Sequence, residues 1–174
     1  MSMRLTSVIV AGLLSFGPLA ITQAATYTAQ EAANMKLVAD FYAALDEGDA
    51  HGDLKQRIRA IAEKYLRPDY IQHMAAAQKY PQGREGLIQM FEQRPSAPAS
   101  PVTAALPPAT IMTLVATGDL VIRVSSRIVP GPQGKAGGPT YIFNMFRIQD
   151  GKLAEHWDGS TAQGMSMPGK PPAG

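Results

Sequence analysis

The chain has 174 residues, 45% of them hydrophobic and 17% charged, the length and balance of one globular domain able to bury a sizeable core. Sixteen basic residues against fourteen acidic leave a formal charge of only +2, which excludes the electrostatic footprint of a nucleic-acid binder. There is no cysteine, so disulfides, thiolate metal sites and a cysteine nucleophile are excluded as well.

In chain order, Met1 to Arg4 is a short basic start, Leu5 to Ile21 is predominantly apolar, and Thr22-Gln23-Ala24 ends on a small residue. That is the pattern of a secretory signal over residues 1–24. An uncleaved anchor competes with it, since the apolar stretch approaches the length of a span; Gly17-Pro18 inside it and the small-residue cleavage site favour removal. The expectation is a periplasmic or secreted protein with no stable membrane insertion after cleavage.

Thr28-Ala29-Gln30-Glu31 has the capping-box pattern and predicts a helix start. Leu37, Val38, Phe41, Tyr42 and Leu45 then recur at helical spacing, and Gly48 is placed to stop the helix. A second helix follows from Leu54, with Ile58, Ile61, Ala62, Tyr65 and Leu66 on one face and an ending at Pro68. Asp69 to Met74 reads as a short irregular or extended segment. Gly83 to Gly86 leads into a third helix carrying Leu87, Ile88, Met90 and Phe91.

Residues 96–108 are Pro, Ala and Ser-rich and read as a surface loop. Thr110 to Thr117 and Leu120 to Val129 are β-branched runs around Gly118-Asp119, two antiparallel strands. Pro130 to Pro139 is a flexible tip. From Thr140 a second hairpin turns at Asp150-Gly151, a dipeptide that accepts the backbone of a two-residue turn. Alternation then places His156 and Asp158 on one face of the last strand, and Glu155 and Trp157 on the other. Residues 163–174 form a Met, Gly and Pro tail expected to be disordered. Helices first and strands after argue an α+β domain over 28–162, with three N-terminal helices packed on a curved, mainly antiparallel four-stranded sheet.

The segments Asn34 to Val38, Tyr70-Ile71-Gln72-His73, Gly86-Leu87, Gly118 to Val121, Phe146-Arg147 and Asp150 to Asp158 together resemble the SnoaL-like polyketide-cyclase branch of the nuclear-transport-factor-2-like superfamily. The resemblance implies a cone-shaped fold enclosing a hydrophobic pocket, often in a homodimer, and enzymatic members that close rings by aldol condensation without a cofactor. It marks His73, His156 and Asp158 as candidate catalytic residues. Relatives often carry an acid where this chain has Asn144 and a histidine near Val124, so the usual base and its partner are replaced here.

Aldol chemistry needs a base of matched pKa and a donor for the enolate oxygen. His73, His156 and Asp158 are the groups available, with Asp158 either orienting His156 or acting as base in a dry site. The bland alternative makes them satisfied polar contacts. Tyr42, Tyr70, Asn144, Phe146 and Trp157 are the expected pocket lining, although aromatics at such spacing also serve simply as core. A metal site from His73, His156 and Asp158 is not supported by their spacing, and no cofactor is expected. Two functions remain: an exported protein that binds a small apolar or carbonyl-containing molecule, with cyclase, lyase or isomerase chemistry open to it, or a non-catalytic ligand-binding or dimeric assembly module.

Overall fold

The computed structural model describes residues 26–94, 109–130 and 136–160. The expected signal sequence, the loop at 96–108 and the tail at 163–174 lie outside the described residues, as does part of the 130–139 tip.

Helix α1 (Ala29–His51) begins with the capping box: the Thr28 hydroxyl accepts from the Glu31 backbone N–H, and the Glu31 carboxylate accepts from that of Thr28. Glu31 also accepts from the Gly118 N–H at 2.9 Å, and Asn34 donates to the Gly118 carbonyl. These bonds hold the Glu31 carboxyl below its usual range, chiefly the one from Thr28, and they fix the helix start to the turn between two strands. Gly48 does not stop the helix. Four residues further on, Gly52 supplies the left-handed cap at φ 71°, while Gly48 lies buried where α1 meets α2 (Leu54–Tyr65). A Cβ there would stand 3.0 Å from the Leu54 backbone, so the glycine serves close approach rather than termination.

The sheet has five strands rather than four. The additional one, β1 (Leu66–Gln72), follows α2 directly and precedes α3 (Arg84–Glu92). Its sequence hides its nature, because Arg67, Pro68 and Asp69 interrupt the alternation, yet Pro68 is tolerable on a strand paired along one side only. Then come β2 (Thr110–Thr117), β3 (Leu120–Pro130), β4 (Ala136–Gln149) and β5 (Lys152–Ser160). The order across the sheet is β1-β5-β4-β3-β2, antiparallel except for the parallel β1–β5 pair. Each pairing contains a register shift, and such irregularities bend and twist strands. Asp150 (φ 50°) and Gly151 (φ 67°) make the expected β4–β5 turn.

The helices fill the inner face of the sheet. Val38, Ile58, Leu66, Tyr70, Ile88, Val121, Phe146 and Leu153 are almost wholly withdrawn from water, and this burial supplies the main drive to fold. Among the described residues, no helix is long and apolar enough to cross a membrane.

Candidate functional site

The inner face of the sheet can be read from its registers, since directly paired residues share a face. Val121, Phe146 and His156 form one rung, and Arg123, Asn144 and Asp158 the next. Gln72 is paired with His156 across the parallel strands. Above these rungs, α1 brings Phe41, Tyr42 and Leu45, and α3 brings Leu87, Met90 and Phe91. Together with Tyr70, Gln72, Met74, Phe146 and His156 they enclose a half-open cavity of about 410 Å³, its mouth included. Its polar lining residues are Gln72, His156 and the tyrosines Tyr42 and Tyr70; the rest are apolar.

His156 sits at its base, 8% exposed, with its ring stacked on Phe146 at 4.3 Å between centroids and 6° between planes. Its Nδ1 is 2.9 Å from the Gln72 side-chain oxygen, and its Nε2 is 3.0 Å from that of Asn144. Burial, assisted by the charge of His73, pulls the imidazole down to about 4, so it is neutral at neutral pH. A neutral ring carries one N–H. Only one amide oxygen can accept from it, and the other ring nitrogen is paired only when the amide facing it turns its NH2 inward. In that arrangement both nitrogens are engaged, and neither is available to take a proton from a ligand without breaking the chain of amide, imidazole and amide.

At the edge of the same face, Tyr42 is pushed up to about 12, first by burial, and Tyr70 is also raised by burial. Both phenols stay protonated. Asp158 lies at the rim, where partial loss of water raises its carboxyl against the lowering effect of its own backbone N–H. Arg123 is buried beneath Tyr42, its guanidinium 3.7 Å from the ring centroid, and donates to the Ser125 hydroxyl at 3.1 Å.

Of the candidates from sequence, His156, Asn144 and Asp158 thus share the inner face, and Tyr42, Tyr70 and Phe146 line the cavity. His73 and Trp157 do not. They lie on the outer face, stacked on one another at 5.0 Å, with His73 Nε2 2.8 Å from Glu155. Glu155 is held below the usual carboxylate range, chiefly by His73 and also by Arg147. His73 is thus removed from the cavity by strand alternation, which sends consecutive side chains to opposite faces. Val124 also faces outward, paired with Phe143. Gln72, Arg123 and the α3 residues were not identified from sequence. Reading residues 69–74 as a strand would have placed Gln72 beside Tyr70, and an arginine inside the β-branched run from Leu120 was the signal for Arg123.

No family model matches the sequence, and no curated protein matches it. Solved structures do. A protein from Jannaschia sp., described as a SnoaL-like polyketide cyclase, is 14% identical, with 79% of this chain and 92% of that one covered and a TM-score of 0.51. Wild-type IdmH from Streptomyces antibioticus, described as a polyketide cyclase, is 26% identical over 71% of this chain and 91% of its own, at a TM-score of 0.43. A nuclear-transport-factor-2-like protein from Burkholderia pseudomallei is 16% identical over 73% and 89%, at 0.48. The chain has the fold of the SnoaL-like, nuclear-transport-factor-2-like proteins that its sequence resembles.

Proposed function

We propose that this is an exported protein that binds a small, largely apolar molecule in the cone pocket, one carbonyl or hydroxyl of the ligand meeting the polar base. The observation that carries this reading is the state of His156: buried, neutral, and hydrogen-bonded through both nitrogens. An apolar cavity with a few fixed polar groups is built for recognition, whereas a general base needs a free lone pair and a pKa near the working pH. Export is supported by the basic start, apolar stretch and small-residue site at 1–24. Intact mass of the exported chain is expected to begin near Ala25, and a retained Met1 would overturn export with cleavage.

Asp158 favours a second reading. Its raised carboxyl lies on the inner face beside Asn144, where a carboxylate is suited to removing a proton α to a carbonyl. Cofactor-independent isomerase, lyase or cyclase chemistry would start that way. Tetralone, an apolar bicyclic ketone with exchangeable α protons, separates the two. Calorimetry is expected to give saturable binding that is lost in Leu87→Trp, which fills the cavity. Incubation in deuterated water is expected to leave the α protons in place. Absence of binding refutes the pocket reading. Exchange catalysed by the wild type and abolished by Asp158→Asn would instead establish the catalytic one.

A further inference from the structure

Among the described residues, Arg123 is a buried cation with no carboxylate in ion-pair contact. Its residue is 6% exposed, and burial lowers the guanidinium's pKa. All fourteen Asp and Glu residues of the chain fall within the described residues. The more exposed Arg57, Arg59, Arg67, Arg94 and Arg147 each hold at least one of these carboxylates. None lies within ion-pair distance of Arg123, although Asp46 and Asp158 are close enough to act on the Tyr42 and Arg123 pair through space. Withdrawing a charge from water without a counter-ion costs several kcal/mol in general, so such a residue is hard to account for by stability alone.

A second observation lies on the same face. Thr140 is buried, and its hydroxyl has no hydrogen-bond partner among the described residues. Register places Thr140 opposite Arg127, two inner-face positions along β4 from Asn144, which is itself opposite Arg123. One polar track therefore runs from the base of the cavity past Asn144 to Arg123, Ser125 and Thr140. Tyr42 joins the two regions: it lines the cavity, and its ring carries the guanidinium.

We propose that Arg123 anchors an anionic oxygen of the pocket's ligand, so that the molecule bound is a small cyclic carboxylic acid with its apolar body in the cavity and its carboxylate on the guanidinium. Arginine is the side chain best shaped for this, because its planar fork meets both carboxylate oxygens. The inference rests on the pocket reading above and specifies what enters that pocket.

The test is titration calorimetry of the leaderless chain with naphthylacetate and with its neutral analogue naphthylacetamide. The wild type is expected to prefer the acid by about tenfold or more, the scale of a charge-assisted hydrogen bond. Arg123→Met is expected to bring the two affinities together by weakening the acid far more than the amide, and to melt no lower than the wild type. Equal affinities in the wild type overturn the anchor, a comparison that needs no variant to fold. A preference that survives in Arg123→Met overturns it too. Binding of the amide without preference for the acid removes the anchor and leaves the pocket, whereas failure of both ligands to bind refutes the two together.

Discussion

At the residue scale, His156 makes stability depend on pH in a way that can be assigned. Its folded pKa, about 4, lies below the ordinary 6.5, so the unfolded chain takes up a proton that the folded chain refuses. The associated stability is fully present above about pH 6.5 and is lost as pH falls towards about 4. Between pH 7 and pH 5 the wild type is expected to lose about 2 kcal/mol more than His156→Phe in urea unfolding. Asn144→Asp puts a carboxylate where the Asn144 amide now meets Nε2, raises the imidazole pKa and flattens the same slope. Identical slopes in all three proteins would show that the ring is not held neutral by its surroundings. The last strand disclosed its His156 and Asp158 face because alternation is uninterrupted from Glu155 onward. Nothing local to His73 disclosed its turn outward, since that depends on β1 being a strand.

At the element scale, α3 supplies three of the residues lining the cavity, Leu87, Met90 and Phe91, and one glycine lets it dock. A Cβ on Gly86 would stand 1.8 Å from the Pro81 carbonyl oxygen, a backbone atom that cannot swing aside. Gly86→Ala is expected to cost about 1–3 kcal/mol in denaturant unfolding and to weaken tetralone binding with it. Unchanged stability would mean that the segment leading into α3 shifts freely. The helix itself was visible in sequence through its apolar spacing, as were β2, β3 and the Asp150-Gly151 hairpin. The glycines were visible only as breakers. Close approach depends on what lies opposite, Leu54 for Gly48 and Pro81 for Gly86, and no window along the chain contains that information.

At the scale of the whole molecule, the outer face of the sheet carries apolar groups that the helices do not cover. Val115, Tyr141 and Phe143 are exposed there, Phe143 to 48%, and Val115 pairs with Ile122 as Phe143 does with Val124. A second copy of the chain is the proposed occupant, in keeping with the homodimer that the family resemblance implies. Sedimentation velocity is expected to give a dimer that Phe143→Arg converts to monomer without loss of helix or sheet signal, since an unpaired charge in an apolar interface is strongly unfavourable. A wild-type monomer at tens of micromolar would sink the idea.

The parallel pairing of β1 with β5 also governs how the chain folds. Gln72 and His156, the two polar groups at the base of the cavity, are 84 positions apart, and closing so long a loop comes late because its entropy must be overcome before the contact contributes. As synthesis proceeds from the N-terminus, α1, α2, β1 and α3 are complete while β1 still lacks β5, the strand it pairs with among the described residues. The cavity therefore has walls before it has a floor. Until β5 has been added, the apolar faces of α1 and α3 have no complete sheet to cover them.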